Sequence, residues 1–146
     1  MKKFNPLTVQ EFNNLNMKDN KANCMLFAFG TFRDKSKSIL DYNLWGFRST
    51  PIKEIVEEAG KKFGNIKLRK IISTDEAPEN SYIIGFYLKK TNNEYIGYDY
   101  HFIRRELDGT WVEKPGWIEP ACTANLADLR IEYGMDPVLF VVEGVL

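Results

Sequence analysis

The most constraining feature of the sequence is a change of pattern at Ile66. From there on, strand-like runs alternate with turn signals, the runs being Ile66–Ile72, Tyr82–Lys89, Tyr95–Arg105, Thr110–Lys114 and Val138–Val142. The signals before Ile66 are helical. Near the C-terminus, residues 125–133 can form either a short helix or an irregular segment that leads to the last strand. Helices followed by an antiparallel meander indicate an α+β fold with helices packed on one face of a sheet. The length of 146 residues predicts a single domain over 1–146.

Two of the early helical segments carry signals at their ends. Thr8 and Glu11 have the spacing of a capping box at the start of a weak pattern over residues 7–19. In the clearest helix, Thr50 is placed to cap and Pro51 to take the first helical position. The apolar stripe of that helix consists of Ile52, Ile55, Val56 and Ala59, and Gly60 or Gly64 would end it.

Composition and charge argue against several classes of function. Lys plus Arg number 20 and Asp plus Glu number 20, so no net charge draws the chain to nucleic acid or to an anionic membrane. The sequence has no apolar run of ~18 residues that would span a bilayer. The start, Met1–Pro6, lacks the apolar stretch of a secretory signal, so we expect a cytoplasmic protein. Its two cysteines are then expected to be free thiols.

The chain has one histidine, His101, so any chemistry that pairs a nucleophile with an imidazole must use it. Cys24 is the candidate nucleophile, because Asn23 is placed to cap a short apolar helix that holds Cys24 in its first turn. A helix N-terminus and a nearby imidazolium both lower the pKa of a thiol. The backbone N–H groups of that turn would also point at an oxyanion. The alternative is that Cys24 is a buried small apolar residue and His101 an ordinary strand residue.

A third group should orient the imidazole, and Glu113 is the candidate, across a hairpin at Asp108–Gly109. A two-residue turn would pair Arg104 with Glu113 and would place Glu113 on the opposite face from His101. A three-residue loop with Gly109 in the left-handed conformation would pair Ile103 with Glu113 and would place Glu113 and His101 on one face. Gly109 suits both loops, so the residues alone leave the register open.

Residues 98–116 resemble a segment of uncharacterised bacterial and phage proteins in the papain-like superfamily, which includes bacterial cell-wall endopeptidases. The matching residues are Tyr100–Arg105, Asp108–Trp111 and Lys114–Gly116, with Asn23–Cys24 upstream. The related segment usually has histidine where this chain has Glu113. In that superfamily a cysteine starts a helix, a histidine starts a strand, and a polar residue about twelve positions later orients the histidine. The resemblance therefore favours the three-residue loop.

The resemblance implies a papain-like fold and a cysteine hydrolase that acts on an amide bond, as a peptidase, amidase or deamidase. Cys24 would be the nucleophile, His101 the general base and then acid, and Glu113 the orienting group. Asn23 and the backbone N–H of Cys24 are candidates for holding the oxyanion. Trp111 and Trp117 are candidate substrate contacts, with core or edge packing as the alternative. The expected partner is a peptide or a protein.

A second function stays open, that of a non-catalytic protein-binding module, for example a phage-encoded inhibitor of a host system. Exposed aromatic residues would then anchor the interface, and Trp45, Trp117 and Tyr133 are the candidates. We expect no cofactor and no metal site, because the two cysteines lack a paired zinc spacing and the glycines form no phosphate loop.

Overall fold

The computed structural model describes residues 1–14, 24–30, 51–90, 98–116 and 119–146. Its helices are α1 (Val9–Asn13), α2 (Cys24–Phe29), α3 (Ile52–Lys62) and α4 (Leu126–Tyr133), with a 3₁₀ turn over Thr74–Glu76. Its strands are β1 (Ile66–Ile71), β2 (Ile83–Lys90), β3 (Tyr98–Arg105), β4 (Trp111–Glu113), β5 (Cys122–Thr123) and β6 (Val138–Val145). The α+β class is as expected.

The strands form one sheet in the order β1-β6-β2-β3-β4-β5, and the described pairs are antiparallel. Strands β2, β3 and β4 form the expected meander, which the unpredicted strand β5 extends. Because β6 inserts between β1 and β2, the prediction of a meander for the whole sheet is wrong. The insertion fits the burial of β6, because the adjacent residues Phe140 and Val141 point to opposite faces and are both buried.

Helices cover both faces of the sheet, whereas we expected them on one face. The first three helices pack with Phe86, Phe102 and Phe140 in the larger apolar cluster. Helix α4 contributes Leu129 to a second cluster with Tyr87 and Ile103, whose side chains point to the other face. The prediction that all helices lie on one face of the sheet is therefore correct for α1, α2 and α3 and wrong for α4.

The helix ends agree with the sequence signals in most places. The Thr8 side chain accepts the backbone N–H of Glu11, and the Glu11 side chain accepts that of Thr8, which completes the predicted capping box. Helix α4 forms, with the Asn125 side chain accepting the N–H of Asp128. Pro51, expected at the first helical position, is instead the N-cap residue of α3.

Several sequence predictions fall outside the described residues, namely those on Asn23, Trp45, Thr50 and Trp117. Among the helices that are described, none combines the length and the apolar character needed to cross a membrane.

Candidate active site

The hairpin between β3 and β4 has the three-residue loop. Gly109 has φ 91° and donates its N–H to the Glu106 carbonyl at 3.0 Å, and Glu106 donates to the Thr110 carbonyl at 2.8 Å. The ladder pairs Ile103 with Glu113. This confirms the register in which Glu113 shares a face with His101, since residues two apart on a strand point the same way.

Glu113 and His101 form a buried ion pair with good hydrogen-bond geometry. The Nε2 atom of His101 lies 2.9 Å from Oε1 of Glu113, and the two residues are only 3% and 9% exposed. A charge-assisted bond that is shielded from water is stronger than one at the surface, because the local dielectric is low. Glu113 therefore fixes the ring orientation and occupies one of the two ring nitrogens.

Cys24 approaches the same imidazole from α2. It is the first residue of that helix, it is half-buried, and it lies close enough to His101 to raise the pKa of the imidazole. The β3–β4 ladder ends at the pair Ile103–Glu113, and Ile103 lies two residues after His101 in the sequence. With Nε2 held by Glu113, Nδ1 is the nitrogen left for the thiol.

The two partners act together on the proton of His101. Burial lowers the pKa of the imidazole, but the hydrogen bonds and the negative charges of Cys24 and Glu113 outweigh it and raise the pKa to about 10. The imidazolium is therefore the form that the site favours at neutral pH. A protonated imidazole beside a thiol is the arrangement that favours the thiolate.

Both cysteines are free, and the second one is a poor nucleophile by comparison. Cys122 lies opposite Glu113 in the β4–β5 ladder. Burial, together with the charge of Glu113, raises the pKa of the Cys122 thiol. Cys24, which contacts the imidazole, is the better candidate.

Arg104 fastens the helix that carries the candidate nucleophile to the strand that carries the imidazole. Its fully buried guanidinium donates to the carbonyls of Phe27 (2.8 Å) and Ala28 (3.2 Å) at the end of α2. It also donates to the Leu7 carbonyl and to the Glu106 carboxylate, both at 2.8 Å. A cation at a helix C-terminus is favourable because it faces the negative end of the helix dipole. The sequence analysis did not assign Arg104 a role.

Lys114 holds the backbone that follows Glu113. Its side chain is buried, and its ammonium donates to the carbonyls of Gly116 and Glu119, the latter at 2.8 Å. Burial lowers the pKa of Lys114. A buried lysine that binds only carbonyls is typical of a residue that shapes a loop. The sequence analysis noted Lys114 only as part of the matching segment.

The other candidate residues have different surroundings from those expected. Trp111 is half-buried and packs against two apolar clusters of the sheet. This agrees with core or edge packing, the alternative to a substrate contact. Tyr133, expected as an exposed interface anchor, is instead half-buried and stacked on His101. Tyr87, opposite His101 in the β2–β3 ladder, was also missed. Only the register of β2 against β3 could have indicated that Tyr87 lies beside His101.

In its geometry the site brings Cys24 near His101 and Glu113, which lie in a distant part of the sequence. His101 is the fourth residue of β3 and not the first, which departs from the pattern that the resemblance implies. Compared with known proteins, the chain matches no protein-family model, no curated protein and no solved structure.

Proposed function

We propose that this protein is a cysteine hydrolase that cleaves an amide bond in a peptide or protein, on a papain-like scaffold. The observation that carries the proposal is the buried hydrogen bond between the His101 ring and the Glu113 carboxylate, with Cys24 close enough to act on the same ring. Nucleophile, base and orienting group are recognised by such geometry, whatever the sequence positions. The resemblance over residues 98–116 supports the same reaction class.

In the first half of the reaction, the thiolate of Cys24 attacks the carbonyl carbon of the amide. The C–S bond forms, and the carbonyl electron pair moves onto oxygen as an oxyanion, which Asn23 and the backbone N–H of Cys24 are proposed to hold. When the C–N bond breaks, His101 donates its proton to the leaving nitrogen. The product is a free amine and a thioester on Cys24, with a neutral imidazole.

In the second half, His101 acts as the base. The neutral imidazole takes a proton from water while the water oxygen attacks the thioester carbonyl. The thioester then collapses, which releases a carboxylic acid and regenerates the thiolate beside the imidazolium. Glu113 keeps its negative charge throughout and stabilises the imidazolium each time it forms.

The protonation state of His101 favours an amide over a more reactive substrate. An amine is a poor leaving group unless it is protonated as it departs. The hydrogen bond to Glu113 and the neighbouring Cys24 both favour the protonated imidazole, so the acid is in place when the C–N bond breaks. Peptidase, amidase and deamidase activities share this chemistry.

Thiol alkylation tests the proposal without knowledge of the substrate. An ordinary thiol with a pKa of ~8.5 is only about 1% thiolate at pH 6.5. We expect iodoacetamide to modify Cys24 at that pH roughly 10-fold faster than such a thiol, as measured by peptide mass spectrometry. Cys122 is the internal reference in the same tube, because burial raises the pKa of its thiol.

The variants His101→Gln and His101→Ala provide the control. Each should reduce the rate at Cys24 to that of an ordinary thiol and leave Cys122 unchanged. Equal rates at the two cysteines, or a Cys24 rate that does not respond to either variant, would contradict the hydrolase and favour a non-catalytic binding module.

A further inference from the structure

A tyrosine from α4 covers one face of the His101 ring. The rings of Tyr133 and His101 are parallel within 4°, and their centroids are 5.8 Å apart. Tyr87 supports both rings from β2, with centroids 5.1 Å from Tyr133 and 6.4 Å from His101. The imidazole therefore lies in a group of three rings from β2, β3 and α4.

The end of α4 determines where the Tyr133 ring lies. Tyr133 is the last residue of the helix, and Gly134 follows in the left-handed conformation with φ 69°. The N–H of Gly134 closes the helix on the Arg130 carbonyl at 2.8 Å. Leu129 packs in the same cluster as Tyr87. A helix that is capped and packed in this way presents its last side chain in a defined direction.

We propose that Tyr133 is a positioning residue of the active site, whose ring holds the plane of the His101 imidazole and favours its protonated form. This inference rests on the proposed function. The thiol and Glu113 engage the ring edge, so neither prevents the imidazole from tilting out of its plane. A parallel aromatic ring against the face opposes that tilt, and its negative π-face attracts the imidazolium.

The surroundings are compatible with a neutral phenol in this role. Burial, followed by the negative charges of Asp99 and Glu132, raises the pKa of Tyr133. Desolvation raises the pKa of Tyr87 to about 12. Both rings therefore stay neutral while His101 titrates, and an attractive π-face remains available to the cation.

Cys24 from α2 and Glu113 from β4 are the groups that raise the pKa of His101. Tyr87 from β2 and Tyr133 from α4 lie against its ring. Asp99 and Glu132 act on Tyr133, and Cys122 lies opposite Glu113 in the β4–β5 ladder. A Tyr133 variant that keeps the ring leaves all the other groups unchanged. A variant that removes the ring changes only the aromatic face.

The experiment compares Tyr133→Phe with Tyr133→Leu. His101 is the only histidine, so its ring proton gives a single NMR signal that can be followed through a pH titration. Because Tyr133→Leu removes the cation–π contact, it should lower the midpoint of the His101 titration by about 0.5 pH units. Tyr133→Phe should leave the midpoint unchanged. In Tyr133→Leu, the pH range over which Cys24 is alkylated rapidly should narrow by the same amount.

The outcomes separate this inference from the proposed function. If the parent protein shows no activated Cys24, the hydrolase is wrong. If Cys24 is activated but Tyr133→Leu titrates like Tyr133→Phe, only the positioning role is wrong. If Tyr133→Leu does not fold, nuclear Overhauser effects between the His101 and Tyr133 ring protons in the parent decide the matter. Their presence supports the stack, and their absence overturns it.

Discussion

At the scale of single residues, the central feature is the carboxylate of Glu113, which hydrogen-bonds to the imidazole of His101. A carboxylate is charged at neutral pH and accepts hydrogen bonds only, so it favours an imidazolium more strongly than a neutral acceptor would. In this protein Glu113 and Cys24 both raise the pKa of His101, against the effect of burial. Glu113 is therefore expected to set the charge of the site as well as the ring orientation.

Replacing the charge at position 113 tests this directly. In Glu113→Gln the amide keeps the shape of the side chain but loses the charge, so the pKa of His101 should fall from about 10 by about 1 unit or more. The single histidine signal reports the midpoint. Glu143→Gln is the matched control, because Glu143 pairs with Arg69 at 3.7 Å and not with His101. An unchanged midpoint in Glu113→Gln would mean that the carboxylate does not act on the imidazole.

Two of the three catalytic candidates could be selected from the residues alone. His101 is the only imidazole, and Cys24 follows a residue suited to cap a helix. Glu113 could not be selected, because one residue more or less in the loop at Gly109 reverses the face of every side chain on β4. The resemblance favoured the correct register. Tyr133 could not be foreseen, since α4 meets β3 only through the tertiary fold.

At the scale of elements, two helices end at glycines in the left-handed conformation, with very different surroundings. Gly30 closes α2 with φ 63°, and Gly134 closes α4 with φ 69°. A Cβ at position 134 would have no neighbour within 4 Å, whereas a Cβ at position 30 would lie 2.1 Å from Cβ of Pro6. The N-terminal segment therefore packs on the end of the helix that carries Cys24.

The two glycines form a matched pair of substitutions. Gly134→Ala should reduce the free energy of unfolding by about 1–2 kcal/mol, the cost of a left-handed alanine. Gly30→Ala carries the same strain and also displaces Pro6, so it should cost roughly 1–3 kcal/mol more. Urea unfolding followed by tryptophan fluorescence measures both values. Equal costs would show that Pro6 does not pack on Gly30.

The sequence predicted most elements but not their order in the sheet. Capping signals and alternation are local, so α1, α3, β1 and β2 were visible. The insertion of β6 between β1 and β2 depends on pairings such as Ile84 with Phe140, which are distant in the sequence. Strand β5 has two residues, too few to produce an alternating pattern.

At the scale of the whole molecule, the buried polar and charged side chains are concentrated in one stretch of chain. Within the described residues they are His101, Arg104, Glu113 and Lys114. Burying charge is costly, so each is compensated by partners in or beside the site. Keeping these charged groups buried has a cost in the free energy of unfolding, which their partners offset. The free energy of unfolding should therefore depend on whether His101 is protonated.

The native state keeps the His101 proton up to about pH 10, whereas an unfolded histidine loses it near pH 6.5. The raised pKa therefore adds stability that is fully present below pH 6.5 and disappears as the pH rises through about 10. The loss should be complete shortly above pH 10, with a slope of at most about 1.4 kcal/mol per pH unit.

Urea unfolding of the parent and of His101→Gln at pH 6, 8, 9 and 10 checks this expectation, since lysines and exposed tyrosines titrate in both proteins and cancel in the difference. The stability difference between the two should be smaller at pH 10 than at pH 8, because the folded parent loses the His101 proton over that range. A difference that is independent of pH would indicate that His101 is not protonated in the folded protein, which would remove the general acid from the proposed reaction.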